Sequence, residues 1–311
     1  MKTKIGVVSI LMNCYNGEKF LREAVESVLE QTYIYWEIIF WDNQSNDDSA
    51  NIFQSYSDPR FKYYLSPQHT PLYEARNLAY AKATGEFIAF LDVDDIWFSQ
   101  KLEHQLMLFK DPQIGFVCSN FLISTSFNGK SRLAENKLIP QGRVLDSLLR
   151  HYFVGLVTLI VRRSALSLFS TPFESRYHII GDFDLVMRLA VKWDVGSIQH
   201  PLALYRIHGQ NDSLTKRDIC ADELEFWCQQ YSSHPFIGNS KFFFLVRSRM
   251  FYAQSIAHLF ADDIYTARAY MSFMPLCRLK IRLFLVILSY RFINYLSFLK
   301  QLSPFPGQRI Y

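Results

Sequence analysis

The sequence predicts an α/β protein: a mostly parallel sheet flanked by helices, followed by a helical C-terminal extension. Three observations carry that expectation. Short apolar runs alternate with stretches of helical periodicity from Lys4 to about Ser124, the pattern of successive βαβ units. Two of the apolar runs end on carboxylates, at Asp42 and at Asp92. Beyond Ser213 the alternation stops and helical patterning takes over.

Lys4–Met12 is apolar and β-branched and predicts the first strand. The same stretch has the outline of an export signal, with two lysines before an apolar run. No small-residue cleavage site follows, however, and "NCYNGEKF" reads as a turn into a helix. Over Glu18–Gln31, the residues Phe20, Leu21, Ala24, Val25, Val28 and Leu29 recur at helical spacing. Trp36–Trp41 predicts a second strand, ending at Asp42. "DNQSNDDSANIF" is turn chemistry leading into a capped helix, with Asp47 and Asp48 as capping or turn residues. Phe61–Leu65 reads as strand, Leu72–Ala83 as helix and Phe87–Leu91 as strand. Ser99 is placed to cap a helix that runs to about Phe109, and Gly115–Ser124 is strand-like again.

The 311 residues are half hydrophobic, with 12 glycines and 11 prolines. That is enough for a large core in one big domain or two smaller ones. Five cysteines with no CxxC pair argue against a disulfide framework or a zinc site and fit a reducing compartment. Net charge is +4, yet seven basic and no acidic residues lie between Ile264 and Tyr311, which leaves the preceding residues at −3. The asymmetry predicts an anionic surface as the tail's partner. A mildly acidic body does not support a nucleic-acid role.

In a parallel α/β sheet, ligands bind outside the carboxyl ends of the strands. "NCYNG", Asp42 and "DVDD" each follow a predicted strand and so converge on one edge. Asp92, Asp94 and Asp95 together exceed what one helix start needs. Crowded carboxylates repel one another unless a cation neutralises them. Mg2+ and Mn2+ take a few carboxylate oxygens and then the phosphate oxygens of a substrate. The expected cargo is a metal–diphosphate.

Four ordered blocks then resemble family 2 glycosyltransferases: "VSILMNCYNGEKFLREAVESVLEQTYIYWEIIFWDNQSNDDS", "EARNLAYAKATGEFIAFLDVDDIW", "IIGDFDLVMRLA" and "YRIHGQNDS". The resemblance runs from about Lys4 to Ser213. It implies the GT-A (Rossmann-like) fold and inverting transfer from a nucleotide-diphosphate sugar, a UDP-sugar foremost, with Mn2+ or Mg2+ as cofactor. It places Asn13 and Tyr15 in the nucleotide-base pocket and gives Asp42 a hydrogen bond to the base. Arg76 meets the nucleotide, and Asp92, Asp94 and Asp95 form the DxD-type motif. Within it, Asp94 faces the ribose or sugar, and Asp95 is the first candidate for the metal, with Asp94 and His208 as further contacts. Asp92 either binds or supports the turn. His208 and Ser213 belong to a segment that closes over the diphosphate. Asp182 matches the general base, although Gly181 stands where the family usually has the first acid of a pair. The alternative for Asp182 is a helix cap, and Asp184 and Arg188 are spaced to pair on that helix.

The resemblance also implies a saccharide or lipid-linked saccharide acceptor, with bacterial surface polysaccharide or lipopolysaccharide as the setting. It implies a cytoplasmic enzyme, peripheral at the cytoplasmic face of the inner membrane. It divides the chain into a catalytic domain over 1–213, with a nucleotide-sugar half at 1–110 and an acceptor half at 111–213, and a helical, basic region over 214–311. Ala253, Ala257, Leu259, Phe260, Ala267 and Tyr270 predict a packed helical pair about the "ADD" turn. Leu283–Tyr290 is uncharged, but Arg291 sits at the middle of the 17 residues between Arg282 and Lys300. A charge at the bilayer centre costs about 2.5–3.5 kcal/mol, which argues against a span. Beside a span stand two readings that fit better: a helix packed on the catalytic domain, or a helix lying in an anionic interface. Other classes fit less well. A sugar nucleotidyltransferase would have a Gly-rich loop with Arg and Lys where "NCYNGEKF" stands, and a dinucleotide oxidoreductase would have GxGxxG there. A non-catalytic carbohydrate- or membrane-binding relative would not need acids at Asp42, Asp94, Asp95 and Asp182.

Overall fold

The first third of the chain folds as successive strand–helix units: β1 (Val8–Cys14), α1 (Glu18–Leu29), β2 (Trp36–Asp42), α2 (Ser49–Gln54), β3 (Phe61–Leu65), α3 (Leu72–Lys82) and β4 (Phe87–Phe90). A computed structural model describes residues 5–125, 131–209, 211–274, 280–281 and 283–284. β1 runs parallel to β2 and β4, and β2 runs parallel to β3. Every residue of β1, β2 and β4 is buried. Val8, Ile10 and Met12 pack on Leu21, Ala24, Val25 and Val28 of α1, while α3 covers the other face of β1 and β2. Burial on both faces is why these strands read as continuous apolar runs rather than alternating ones. Glu37, buried in β2, is satisfied internally, accepting from Ser9, Lys62 and Thr84. Burial raises its pKa, but those hydrogen bonds prevail and hold it at about 2.

The chain continues through β5 (Ile96–Trp97), α4 (Lys101–Leu108), β6 (Ile114–Thr125), β7 (Ser131–Leu133), α5 (Leu145–Arg150), a 3₁₀ turn (Leu156–Thr158), β8 (Ile160–Arg162), α6 (Arg163–Leu166), α7 (Gly181–Lys192) and β9 (Asp194–Ile207). The sheet order is β3-β2-β1-β4-β8-β6-β9-β5, with β7 beside β6. Here the parallel pattern gives way. β8 is antiparallel to β4 and to β6, β5 is antiparallel to β9, and only β6 and β9 run parallel. The sheet is therefore mixed, parallel where the first strand–helix units build it. β5 and β8 are too short to carry a periodic signal of their own. Ser99 does not cap α4. That helix starts at Lys101 after Gln100, and the Ser99 carbonyl instead accepts the Thr32 N–H at 2.8 Å.

The chain divides into two compact units: Met1–Val144 with Phe153–His208, and Leu145–Tyr152 with Gly209–Tyr311. The first contains the whole sheet. The second contains α5 together with α8 (Asp212–Thr215), α9 (Arg217–Tyr231), α10 (Phe243–Phe260) and α11 (Ile264–Phe273). Arg249 of α10 donates to the Leu149 carbonyl at 3.2 Å, tying α10 to α5. Tyr252, Ile256 and Leu259 of α10 pack with Ala267 of α11, the expected helical pair. The turn between them is made by Asp262 at φ +61 and by Asp263, which caps α11 by accepting the Thr266 N–H at 3.1 Å. No helix among the described residues is long and apolar enough to cross a membrane. Arg282, Arg291 and most of the Leu283–Tyr290 run lie outside the described residues.

Candidate active site

The carboxyl ends of β1, β2 and β4 meet at one edge, because Cys14 is in register with Asp42 and Leu11 with Phe90. The loops that leave this edge are locked together. Asn16 and Gln44 take left-handed backbone conformations, at φ 56 and φ 69, which asparagine tolerates better than most residues. Asn46 N–H donates to Asn16 Oδ1 at 2.8 Å, and Asn16 N–H donates to Ser45 Oγ at 3.1 Å. Asp47 serves the turn, accepting from the Glu18 and Ser49 backbone N–H groups at 2.9 and 3.0 Å, while Asp48 stands at the start of α2 without a side-chain cap bond. Gly17 brings the first loop against the "DVDD" turn. A Cβ there would lie 2.7 Å from Val93 Cγ2.

The three acids of that turn each have a protein partner, so the expected bare carboxylate cluster is not what forms. Asp92 pairs with Arg76 at 2.6 Å. Arg76 is only 4% exposed and lies 5.2 Å from the Tyr73 ring. Burial works against its charge, but the Asp92 carboxylate more than offsets this and its pKa is raised. Asp94 Oδ2 lies 2.9 Å from His208 Nε2. Burial first, and then the charge of Asp92, push the Asp94 carboxyl above the usual carboxylate range, against the hydrogen bond to His208. Asp95 is 2% exposed, and its Oδ1 accepts the Arg206 N–H at 3.0 Å. Through that oxygen the first candidate metal ligand is tied to the end of β9. That strand end is fastened to α1: Arg206 pairs with Glu23 at 2.7 Å, and the His208 ring stacks on Phe20 at 5.3 Å.

Asp42 is 1% exposed, its Oδ1 accepts the Ser45 N–H at 2.8 Å, and its Oδ2 accepts the Tyr63 hydroxyl at 2.7 Å. Burial and then this hydrogen bond raise the Tyr63 pKa. Asp42 thus braces the loop after β2. Asn13 stands opposite Trp41, and among the described residues the buried Asn13 Nδ2 and Trp41 Nε1 have no hydrogen-bond partner. Tyr15 is exposed, with its ring 4.4 Å from that of His69. His69 had no sequence signal, being a lone loop histidine.

Asp182 lies in the first turn of α7 and is 5% exposed. The Tyr73 hydroxyl lies 3.2 Å from its Oδ1. Asp184 is fully buried and pairs with Arg188 at 2.7 Å, the spacing-based expectation. Arg76, Asp92, Asp94, Asp95 and His208 thus gather around one turn, and Tyr73 stands between Arg76 and Asp182. The Ser213 side chain lies outside the described residues. Tyr73 was missed from the sequence because nothing in "LYEARN" marks a tyrosine for contact with a residue 109 positions away. Among the described residues no three His, Cys, Asp or Glu side chains form a metal cage. Asp94 and His208 instead offer one hard oxygen and one imidazole nitrogen side by side. That set fits Mn2+ or Mg2+ when diphosphate and water complete the shell. It also fits electrostatically, because a cation would relieve the crowding of Asp94 by Asp92.

Residues 9–169 match the family model described as glycosyl transferase family 2. The chain is 36% identical over 169 residues to the Escherichia coli UDP-Glc:alpha-D-GlcNAc-diphosphoundecaprenol beta-1,3-glucosyltransferase WfgD, covering 54% of this chain and 64% of that protein. It is 30% identical over 175 residues to the Bacillus subtilis putative teichuronic acid biosynthesis glycosyltransferase TuaG, covering 53% of this chain and 66% of the relative. The chain thus spans just under two thirds of these relatives. S. aureus TarS in complex with UDP-GlcNAc superposes with a TM-score of 0.57 at 15% identity, over 85% of this chain and 90% of that one. The mannosyltransferase PcManGT from Pyrobaculum calidifontis, in complex with GDP-Man and Mn2+, superposes with a TM-score of 0.61 at 15% identity, over 94% of this chain and 81% of that one. At that identity the two structures speak to the fold, which is of the GT-A type with a helical C-terminal region.

Proposed function

This chain belongs to glycosyltransferase family 2, and from that premise we propose that it moves a sugar from a nucleotide-diphosphate donor to an acceptor hydroxyl, inverting the anomeric carbon. The donor is a UDP-sugar and the acceptor a saccharide or lipid-linked saccharide of bacterial surface polysaccharide or lipopolysaccharide synthesis. The names of the relatives support those two classes. The observation that carries the proposal is the linked set Asp94–His208, Asp92–Arg76 and Tyr73–Asp182 beside one sheet edge.

In this proposal Asp182 takes the proton of the attacking hydroxyl while the bond from the anomeric carbon to the diphosphate oxygen breaks. Attack by the acceptor itself gives inversion in one displacement. The departing diphosphate gathers negative charge. Asp94 and His208 would hold a divalent cation, Mn2+ or Mg2+, which would supply Lewis-acid stabilisation of that charge. Asp95 holds the end of β9 so that His208 faces Asp94. Arg76 orients Asp92 through their ion pair. Tyr15 and His69 offer an aromatic shelf for the base, and the Asn13 amide offers it a donor. Residues 1–110 form the nucleotide-sugar half and 111–213 the acceptor half.

A thermal-shift screen of UDP-, GDP- and dTDP-sugars with and without Mn2+ tests the donor class. A ligand that binds the native state raises its melting temperature by mass action, by about 2.7 kcal/mol of stability at 100 times Kd. A UDP-sugar with Mn2+ is expected to give the largest shift. No shift with any sugar nucleotide would overturn the reading.

We further propose that the C-terminal region rests on an anionic membrane surface at the cytoplasmic face of the inner membrane. The seven basic residues without an acidic one from Ile264 onward support this. So does α11, which exposes Tyr265 (82%) and Phe273 on one side, since aromatic rings favour the membrane interface. Deleting residues 278–311 is expected to release the protein from anionic liposomes in a flotation assay. Equal flotation of both forms would sink the idea.

A further inference from the structure

Tyr73 is a buried tyrosine whose hydroxyl reaches both the main chain and the side chain of Asp182. The hydroxyl donates to the Ile179 carbonyl at 2.9 Å and toward Asp182 Oδ1 at 3.2 Å. It also accepts the Asp182 backbone N–H at 3.2 Å. One phenol proton serves two acceptors, and an oxygen lone pair takes the amide. The ring is held in turn by stacking on Phe173 at 5.1 Å.

Gly181 makes this seat possible. A Cβ at Gly181 would lie 2.6 Å from Tyr73 Cδ2 and Cε2 and 2.7 Å from Cζ. The glycine has no positive φ to explain it, so the demand is for space alone. The position before Asp182 therefore lacks a side chain because an aromatic ring fills the volume. This accounts for a glycine where the family resemblance leads one to expect an acid.

We infer that Tyr73, seated over Gly181, is the positioning residue for Asp182. Its hydroxyl fixes the carboxylate and the first peptide N–H of that residue together, so the base cannot turn away from the acceptor hydroxyl. The same ring lies 5.2 Å from the Arg76 guanidinium, which binds Asp92 on the donor side. One side chain thus keeps the base in register with the donor end of the site. The inference rests on the reading of Asp182 as the base.

The test is a double-mutant cycle of Tyr73→Phe and Asp182→Asn, read as kcat and as KM for the donor. Phe keeps the ring and loses only the hydroxyl. Tyr73→Phe is expected to lower kcat by about tenfold with donor KM unchanged, because misplacing a catalytic group by a fraction of an ångström weakens rate rather than binding. In the Asp182→Asn background the same change should lower kcat no further, since the Tyr73 hydroxyl is inferred to affect kcat through the position of that carboxylate. Gly181→Ala, which displaces the ring instead of removing the hydroxyl, should reproduce the kcat loss. If Tyr73→Phe lowers melting temperature too far for assay, Gly181→Ala carries the same cycle. A wild-type kcat for Tyr73→Phe, or an additive loss in the double variant, overturns the inference while leaving Asp182 as base. An active Asp182→Asn overturns the base reading itself.

Discussion

Asp182→Asn is expected to lower kcat by about 1,000-fold, the middle of the range that a positioned general base supplies, with donor affinity within about twofold of wild type. The substitution is conservative in shape. Asn keeps an oxygen to meet the Tyr73 hydroxyl at the distance now seen for Oδ1, and its backbone N–H still donates to that hydroxyl. What is lost is basicity. Asp184 does not substitute for it, being fully buried and paired with Arg188. The measurement is steady-state release of UDP with donor and acceptor varied in turn. Turnover at the wild-type rate would mean that another group takes the proton. A matching rise in donor KM would mean that Asp182 belongs to the donor pocket instead.

The second large effect is expected at Asp94. Asp94→Asn should lower kcat/KM on the order of 100- to 1,000-fold, the scale on which losing electrostatic stabilisation of a developing anion is felt. The half-saturating Mn2+ concentration should rise more than about tenfold. The fold should not suffer. Burial and the charge of Asp92 disfavour the ionised Asp94 carboxyl, so a neutral side chain there relieves repulsion. The melting temperature without metal should stay level or rise. Asp95→Asn provides the contrast. Its amide oxygen can still accept the Arg206 N–H, so Mn2+ dependence should change little. Undiminished transfer in excess EDTA would remove the cation from the mechanism. Equal Mn2+ defects in the two variants would return Asp95 to the ligand set.

The comparison of sequence and structure separates two kinds of information. The strands before Asn13, Asp42 and Asp92 were legible because burial on both faces forces continuous apolar runs. Their common edge followed from the rule for parallel sheets. The helical pair about Asp262 was legible from spacing, because a helix shows its buried face every three or four residues. β8 was not, since a three-residue strand has no period to read. The protein partners of Asp42 and Asp95 were not legible either. Each looked like an acid at the end of a strand, and each accepts a hydrogen bond from a protein donor that no local pattern announces.

By itself, then, the sequence determined the strand–helix order, the edge at which the acids emerge and the family to which their blocks are similar. Those features depend on backbone geometry and on neighbours a few residues apart. Only the tertiary structure decided which acid meets which partner. Asp182 meets Tyr73 across 109 positions, Asp95 meets Arg206 across 111, and Asp94 meets His208 across 114. A hydrogen bond needs its atoms within about 3 Å, and packing sets that proximity between segments that share no local period. Packing also set the space over Gly181, which a ring from a distant helix fills.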